Sequence, residues 1–587
     1  MPTDILFVNM PPPESYYAQN VPHLGMLYVM TGLRHHGYTV SYLDCARRQV
    51  RRQQILAEIR QVEPRLIGFS VDTDNLFSVA HFTRELKREY NGHLKIMLGG
   101  PASQGHPREI MERCAADVLV IGEGEYSACE VADSLLRGEG KLRDIPGICY
   151  RGPFGITETA PRPPIADLDA LPFPDRNFLS DPNAYEATMI SGRGCPFKCT
   201  FCFEGRMGNR YRHRSPENIV AEMEQIVKAR SPAFITINDD TFTSEPEQTL
   251  EVCRLIRQRF RPWKDLLWFC EARVDVVHKH PELIDAMVEA GVARIQMGVE
   301  SADLDVLQAY KRLNVKPHLV EEVVGAFHRA GVPSIYCGFI LGGPRETMAT
   351  MERTLAFAKH LLLEVAPGSF ECRGSFLTPL PGTDIRARPE AYGIRLLDPD
   401  LLTSSNFNYC TVETEALTQE TITNFNHHFF AEIDAAIRGL VPNLPWELVD
   451  KHWRLHQIFH MSTAYWERLA GCGRLAQYLD LVGEGKFDRG DALSDEELLE
   501  RFPTRIATPV RMEAGQLMVR KAPSELTLNG LGARIYALSS GKLTTAEVVQ
   551  ELSKSLEGGP PEEVLRADVI EFVRLLDRNY AIFLKDF

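Results

Sequence analysis

Short apolar segments that alternate with amphipathic helices recur along the first two thirds of this 587-residue chain. In the first 150 residues the apolar segments begin near Asp4, Thr39, Leu66, Lys95 and Val118. Parallel strands need long crossover connections, which are usually helices, so this rhythm favours a parallel sheet. The pattern predicts an α/β fold that begins with a doubly wound sheet, whose ligands bind at the carboxyl ends of the strands.

The same alternation resumes at Ala187 and repeats six times, with the last strand between Phe370 and Phe376. Each of these six predicted strands ends in glycine or polar residues. Six strand–helix units predict a partial (β/α)6 barrel, and active sites of such barrels gather at the carboxyl ends of the strands. A proline-rich connector, residues 151–185, separates the two units, because proline disfavours regular helix.

Three cysteines follow the first barrel strand directly. Cys195, Cys199 and Cys202 are separated by three and then two residues. Structural zinc prefers four ligands in paired Cys-x-x-Cys arrangements, and no second pair lies nearby. A cubane iron–sulfur cluster normally takes four thiolates. Three cysteines therefore predict a [4Fe-4S] cluster with one iron open to a non-protein ligand.

This spacing, with the aromatic Phe201 before the third cysteine, resembles the radical S-adenosylmethionine (SAM) superfamily. The resemblance implies SAM on the open iron and an electron donor such as a flavodoxin or ferredoxin. It implies no particular catalytic acid or base. The implied SAM contacts are Asp240 near the methionine amino group, Arg273 near its carboxylate, Glu300 with Ser301 near the ribose, and Phe201 with Leu341 near the adenine.

The loops that end the amino-terminal strands are rich in glycine, which permits close backbone approach to a bulky ligand. Pro22-His-Leu-Gly25, Gly99-Gly-Pro101 and Gly122-Glu-Gly-Glu125, placed ahead of such a barrel, resemble the cobalamin-binding domain of B12-dependent radical SAM proteins. A degenerate domain that has lost cobalamin is the alternative. The residues implied in cobalamin binding are Asn9, Gly25, Thr73, Asp74, Gly99, Gly100, Gly122, Glu123, Gly124 and Glu125.

The lower face of this cobalamin is expected to lack a protein histidine. Methionine-synthase-like proteins supply that histidine from an Asp-x-His-x-x-Gly motif, which is absent from this chain. Neither His23 nor His81 fits the motif.

The part of the chain after the barrel divides into two segments with different predicted secondary structure. Residues 397–505 are largely helical by pattern, with Leu417–Ile437 and Trp446–Ala470 the longest stretches. This predicts a packed helical cap or, alternatively, a lid over the barrel mouth. Residues 506–587 read strand pair, three helices and a last strand. They resemble the small winged-helix domain of the peptide chaperone of pyrroloquinoline quinone synthesis, which implies peptide or carrier recognition; a structural or dimerisation module is the alternative. The predicted domains are 1–150 cobalamin-binding, 151–185 linker, 186–396 radical SAM barrel, 397–505 helical cap and 506–587 winged-helix-like.

Charge and hydropathy indicate a cytoplasmic protein. A net charge of −14 offers no electrostatic footprint for nucleic acid. The sequence shows no secretory signal pattern and no uninterrupted apolar run of about 18 residues, so no membrane partner is expected. Free thiols and an oxygen-labile cluster also suit a reducing compartment.

Two classes of reaction fit the implied cofactors. The first is C-methylation of an unactivated or poorly nucleophilic carbon in a natural-product antibiotic precursor, which ordinary SAM methylation cannot reach because the carbon offers no electron pair. The second is a B12-dependent radical SAM reaction that forms, contracts or rearranges a ring, or that modifies a peptide. The substrate is expected to be a small molecule, a carrier-bound molecule or a peptide. A non-catalytic scaffold would need neither the cysteines nor the polar strand ends.

Overall fold

Two parallel sheets and a smaller carboxyl-terminal unit make up the fold. The computed structural model describes residues 3–10, 21–48, 52–73, 75–204, 211–312, 314–397, 409–481, 493–505, 509–511, 517–521, 524–528, 530–539, 543–556, 559–578 and 582–585.

The amino-terminal sheet has seven strands, and helices cover it. The strands are β1 (Ile5–Asn9), β2 (Val40–Asp44), β3 (Leu66–Ser70), β4 (Lys95–Gly99), β5 (Val118–Val120), β6 (Ile148–Gly152) and β7 (Gly155–Glu158). The helices are α1 (Leu24–His35), α2 (Cys45–Arg48), α3 (Arg52–Val62), α4 (Leu76–Glu89), α5 (Pro107–Arg113) and α6 (Gly124–Ala132).

The strand order in this sheet is β2-β1-β3-β4-β5-β6-β7. The first five strands run parallel, as the alternating pattern predicts. The last two are antiparallel additions, and they carry the sheet to Glu158, past the predicted boundary at residue 150. The carboxyl ends of β3, β4 and β5 consequently lie at one edge, where their loops meet.

The second sheet is the partial barrel. Its strands and the hairpin beside it are β8 (Ala187–Met189), β9 (Gly192–Arg193), β10 (Arg212–His213), β11 (Ala233–Ile237), β12 (Leu266–Ala272), β13 (Val292–Glu300), β14 (Ser334–Leu341) and β15 (Phe370–Phe376). Its helices are α7 (Pro216–Ala229), α8 (Pro246–Arg259), α9 (Val274–Lys279), α10 (Glu282–Glu289), α11 (Leu304–Ala309), α12 (Pro317–Arg329), α13 (Met348–His360) and α14 (Asp384–Ala387).

Six of these strands, β8-β11-β12-β13-β14-β15, form one parallel sheet. Alternate side chains along them, such as Cys270, Met297 and Cys337, are fully buried in the largest hydrophobic core. Most of the side chains between them are partly exposed. The pattern still predicts all six strands because the segments are mostly apolar and lie between helical segments. Strands β9 and β10 pair separately as an antiparallel hairpin.

The region after the barrel packs against the amino ends of the barrel strands through its later helices, whereas its first helix lies along β15. Its elements are β16 (Ile394–Leu396), β17 (Val412–Thr414), α15 (Gln419–Leu440), α16 (Trp446–Gln457), α17 (Trp466–Gly471) and α18 (Arg474–Leu481). The Tyr465 hydroxyl donates to the Phe370 carbonyl at 2.7 Å, and Arg294 donates to the Ser462 carbonyl at 2.8 Å. These contacts favour the predicted packed cap over a lid at the opposite, carboxyl end.

One predicted element of this region is wrong. The pattern predicts a single helix from Trp446 to Ala470, whereas α16 ends at Gln457 and α17 begins at Trp466. His460, between them, has a φ of 57°. A left-handed residue cannot continue an α-helix, so the chain turns there.

The carboxyl-terminal unit has its own small core, which includes Tyr536, Val548, Leu552 and Val569. Its elements are α19 (Asp495–Glu500), β18 (Phe502–Arg505), β19 (Pro509–Arg511), β20 (Leu517–Lys521), β21 (Ser524–Leu528), α20 (Gly530–Leu538), α21 (Thr545–Ser555), α22 (Glu562–Arg578) and β22 (Ile582–Lys585). The strand pair, three helices and last strand occur in the predicted order. In the portions of the chain that the structure describes, no helix combines the length and apolar character needed to cross a bilayer.

The histidine His452 in α16 makes the stability of the cap depend on pH. It is fully buried, with Nε2–H donating to the Gly368 carbonyl at 2.8 Å and Nδ1 accepting from the Thr463 hydroxyl at 2.9 Å. Burial, reinforced by the nearby cation of Lys451, lowers its pKa from 6.5 to about 4. The unfolded chain therefore takes up a proton at a higher pH than the native chain does.

We expect the free energy of unfolding to fall as the pH drops from about 6.5 to about 4, by up to about 1.4 kcal/mol per pH unit from this group. Thermal unfolding followed by tryptophan fluorescence across this range tests the expectation. His452→Gln, which keeps polar atoms but does not titrate, should flatten the profile. Identical profiles for the two proteins would contradict it.

Candidate active site

The three cysteines lie in the loop that joins β9 to β10. Hydrogen bonds hold the two strands at the start and end of this loop. In the hairpin register Gly192 faces His213 and Arg193 faces Arg212. The carboxylate of Asp239, just after β11, accepts backbone N–H bonds from Ser191 at 2.7 Å and from Gly192 at 3.2 Å. These bonds hold the start of the cysteine hairpin, residues 192–213, at the carboxyl end of the barrel.

The cysteine side chains differ in exposure. Cys199 is buried, whereas Cys195 and Cys202 are partly exposed. Burial, with the nearby negative charge of Asp240, raises the pKa of Cys195 to about 11. Among the described residues no group of three or more His, Cys, Asp or Glu side chains is arranged around a single metal position. A cubane cluster does not require such a group, because each thiolate binds a different iron atom, so the donor set fits the predicted cluster.

An arginine that the sequence pattern missed lies beside the cysteines. Arg312 is buried, with Nη1 3.7 Å from the Cys199 Sγ atom, Nη2 2.5 Å from the Gly298 carbonyl oxygen and 3.4 Å from the Glu300 carboxylate. It follows α11 in an irregular turn, so no periodic pattern marks it. A buried cation at this position would balance the negative charge of thiolates.

Two predicted SAM residues, Arg273 and Glu300, are buried at the ends of β12 and β13. The Arg273 guanidinium lies over the ring of Phe197, 3.4 Å from its centroid, and its Nε atom donates to Asp275 at 2.9 Å. Glu300 has a φ of 67°, which is unfavourable for a residue with a side chain and is common at functional sites. Arg273 thus contacts the cysteine loop directly through Phe197. Glu300 contacts Arg312, which in turn contacts Cys199.

Asp240, predicted near the SAM amino group, faces the cavity described below. Burial, with the carboxylates of Glu204 and Asp239 close by, raises the pKa of Asp240 to about 7. A cationic ligand would lower this pKa and offset the repulsion between the carboxylates. The position therefore suits an ammonium group.

The other three predicted SAM residues have defined packing partners. The Phe201 ring packs edge-on against Tyr310, with centroids 5.1 Å apart. Leu341 ends β14 and is fully buried. The Ser301 hydroxyl accepts the Asp303 N–H at 3.1 Å and so stabilises the turn before α11. The assigned contacts of all six residues with SAM stay predictions.

A cavity of about 480 Å³ lies between the carboxyl ends of the two sheets. The barrel contributes Gly192, Arg193, Arg212 and Asp240 to its wall. The amino-terminal sheet contributes seven of the ten predicted cobalamin residues: Gly25, Gly99, Gly100, Gly122, Glu123, Gly124 and Glu125.

The structure puts none of the other three predicted cobalamin residues on this wall: two lie elsewhere and one is not described. Asn9 and Thr73 are not among the residues that line the cavity, and the Asn9 amide donates to Asp44 at 3.0 Å. Asp74 lies outside the described residues. Their contacts with cobalamin stay predictions.

The glycines of the cavity wall leave room for a bulky cofactor. A Cβ atom added to Gly99 or Gly122 would meet no heavy atom within 4 Å. Gly100 has a φ of 102°, and a Cβ atom there would lie 2.5 Å from the Ser70 hydroxyl. Glycine is therefore required at residue 100 by the backbone, whereas at residue 99 it keeps the cavity open.

The carboxylate of Glu125 supplies a polar contact in this wall. Its Oε1 atom accepts from Arg193 at 2.5 Å, and its buried Oε2 atom has no hydrogen-bond partner among the described residues. Buried oxygens without partners are rare. The periphery of a corrin carries amide N–H donors, so open glycine loops with this acceptor fit cobalamin.

His23 also lines the cavity, although the sequence motif excludes it as a cobalt ligand. Its Nδ1 atom accepts the Met26 N–H at 3.2 Å, and burial lowers its pKa. The neutral ring must then carry its proton on Nε2, which leaves that nitrogen a donor and not a metal ligand. The absence of a histidine from the lower cobalt face stays a prediction.

Comparison with known proteins identifies both units. Residues 16–132 match the B12 binding domain, and residues 189–358 match the radical SAM superfamily. An uncharacterized methyltransferase of Pyrococcus horikoshii is 26% identical over 468 residues, which are 74% of this chain and 97% of the relative. The anaerobic magnesium-protoporphyrin IX monomethyl ester cyclase of Rubrivivax gelatinosus is 26% identical over 383 residues, 63% of this chain and 66% of the relative.

A solved structure shows the same fold. The radical SAM methyltransferase TsrM from Kitasatospora setae, with cobalamin and a [4Fe-4S] cluster bound, superposes with a TM-score of 0.61 and 17% identity. The match covers 81% of this chain and 99% of TsrM. The predicted arrangement of a parallel sheet followed by a radical SAM barrel is confirmed.

The two matched domains make this chain a radical SAM enzyme with a cobalamin-binding domain. Its cofactors are a [4Fe-4S] cluster, SAM and cobalamin, as the sequence predicts. The similarity of residues 506–587 to a peptide chaperone stays a prediction.

Proposed function

We propose that this enzyme transfers a methyl group from SAM to an unactivated or poorly nucleophilic carbon of a small natural product, such as an antibiotic precursor. The observation that carries the proposal is the cavity between the two units, which is lined by the glycine loops of the cobalamin-binding unit and, on the barrel side, by Asp240 and the base of the cysteine hairpin. The three cysteines are not on its lining but lie in the loop that extends from that base. A substrate carbon in this cavity would lie within reach of both cofactors.

The two walls of the cavity belong to units that would bind different cofactors. When bound, the cluster with SAM supplies hydrogen-atom abstraction and the cobalamin supplies a methyl group. Cys195, Cys199 and Cys202 would hold the cluster, and Asp240 with Arg273 would orient the amino acid end of SAM. The glycines of the opposite wall would leave the corrin room to bind in the cavity.

The relatives support two reaction classes. One full-length relative is named as a methyltransferase, and TsrM is a methyltransferase of the same fold. The cyclase relative covers less of this chain, and its name supports radical ring formation as the second candidate. The methyltransferase reading is preferred because the similarity to that relative extends over nearly all of its length.

Labelled SAM distinguishes the two candidates. The reduced, reconstituted holoenzyme is incubated with SAM deuterated in its methyl group and with candidate substrates, and products are analysed by mass spectrometry. We expect one labelled methyl group in the product together with 5′-deoxyadenosine. Formation of 5′-deoxyadenosine with a cyclised, unlabelled product would instead establish the second candidate and reject methyl transfer.

A further inference from the structure

A largely buried arginine of the cysteine hairpin is held by two glutamates of the cobalamin-binding unit. Arg193 in β9 places Nη2 2.5 Å from Glu125 Oε1 and Nη1 3.3 Å from Glu123 Oε1. The guanidinium also lies over the Tyr28 ring, 5.3 Å from its centroid. Burial alone would lower the pKa of Arg193, but Glu125 and Glu123 raise it above its ordinary value. The arginine is therefore a permanent cation at this domain contact.

The second strand of the hairpin is tied to the same loop. Arg212 in β10 donates to Glu123 through Nη2 at 2.7 Å and through Nη1 at 3.1 Å. The Ile165 N–H in the connector donates to the same carboxylate at 2.5 Å. Since Arg193 and Arg212 face each other in the hairpin, the Glu123–Glu125 loop holds both strands from which the cysteine loop extends.

Glu125 is the member of this contact that also belongs to the cavity. Its side chain is 7% exposed, one oxygen is bonded to Arg193, and the other has no partner among the described residues. Glu125 and Arg193 both line the cavity that fits cobalamin. A hydrogen-bond donor of a bound corrin would complete the environment of this carboxylate and restrict its movement.

We propose that Glu125 couples the two cofactor sites: it accepts an amide N–H of cobalamin with Oε2 while it holds Arg193, and with it the cysteine hairpin, with Oε1. Cobalamin in the cavity then orders the hairpin on which SAM binds. The inference rests on the proposed placement of cobalamin in this cavity and not on the methyl-transfer reaction. Because binding linkage is reciprocal, SAM must strengthen cobalamin binding by the same factor by which cobalamin strengthens SAM binding.

Binding measurements test this coupling without turnover. Hydroxocobalamin is titrated by absorbance into the anaerobically reconstituted full-length protein, with the cluster oxidised, in the presence and absence of saturating SAM. In the unaltered protein we expect SAM to lower the Kd of cobalamin by about 10-fold, within the usual range of coupling between sites. In Glu125→Gln the acceptor charge is lost, and we expect a weaker cobalamin Kd and a SAM effect of less than about 2-fold.

Glu130→Gln is the matched control. Glu130 lies on the same helix, α6, and also pairs with an arginine, Arg162, but it does not line the cavity. It should keep the full coupling. Iron content and the thermal midpoint establish that each variant is folded, and Arg193→Gln, which removes the other partner of the ion pair, should abolish the SAM effect as well.

The coupling is rejected if the unaltered protein shows equal cobalamin affinity with and without SAM, or if Glu125→Gln and Arg193→Gln retain the full effect. These results are separable from those for the proposed function. Labelled product without coupling rejects only the part played by Glu125. Coupling without labelled product rejects only methyl transfer.

Discussion

Replacement of Cys199 by serine is expected to abolish 5′-deoxyadenosine formation. Cys199 is the buried member of the three cysteines, and its Sγ atom lies 3.7 Å from the Arg312 guanidinium. A hydroxyl is a poor ligand for iron, so the cluster should lose one of only three protein ligands. We expect the rate of 5′-deoxyadenosine formation to fall by at least about 100-fold, together with the iron content after anaerobic reconstitution.

Cys472→Ser is the control for this variant. Cys472 is the exposed cysteine among the free thiols described, and it lies in the helical cap. Its replacement should leave about four irons per chain and unchanged 5′-deoxyadenosine formation. If Cys199→Ser retained the iron content and the rate of 5′-deoxyadenosine formation of the unaltered enzyme, the assignment of the cluster to this loop would be contradicted.

Replacement of Gly99 by leucine is expected to remove cobalamin while the protein stays folded. Gly99 ends β4, lines the cavity and has no heavy atom within 4 Å of an added Cβ. Its φ is not in the left-handed region, so a side chain brings no backbone strain there. The leucine would fill space that the corrin needs. We expect cobalamin affinity and methylation to fall by at least about 100-fold, as overlap with a close-packed ligand cannot be relieved.

Gly439→Leu is the matched control, because Gly439 in α15 also has nothing within 4 Å of an added Cβ but does not line the cavity. Cobalamin retention through gel filtration, measured by absorbance, separates the two variants. Iron content and the thermal midpoint should match in both. Full cobalamin retention by Gly99→Leu would show that the cofactor does not occupy this edge of the sheet.

The sequence predicts the parallel strands of both sheets well because they are short, mostly apolar segments that lie between helices. Strands β6 and β7 escape prediction, since short antiparallel additions at an edge carry little periodic signal. The turn at His460 escapes as well, because the apolar pattern continues across it. The place of the helical cap depends on contacts such as Tyr465 with Phe370, which join residues 95 positions apart.

The candidate site divides in the same way. Local motifs predict the cysteines and the glycine loops, since spacing within a loop is visible in the sequence. Ion pairs between distant segments are not visible in the sequence. The roles of Arg193 and Arg212 are therefore recognised only in the fold, which brings them to Glu123 and Glu125. Arg312 is hidden for the same reason. Glu123 and Glu125 are predicted as cobalamin residues, and the structure adds that both are bonded to the barrel.

The proposed function requires cobalamin in the cavity between the two sheets and the cluster on the cysteine loop beside that cavity. Electron paramagnetic resonance of the reduced holoenzyme, with cobalamin in its cob(II)alamin form and the cluster in its reduced form, tests it directly, because both centres are then paramagnetic. We expect a magnetic interaction that broadens or splits both signals and that is absent from Gly99→Leu. A spectrum equal to the sum of two independent signals would contradict this placement of the two cofactors.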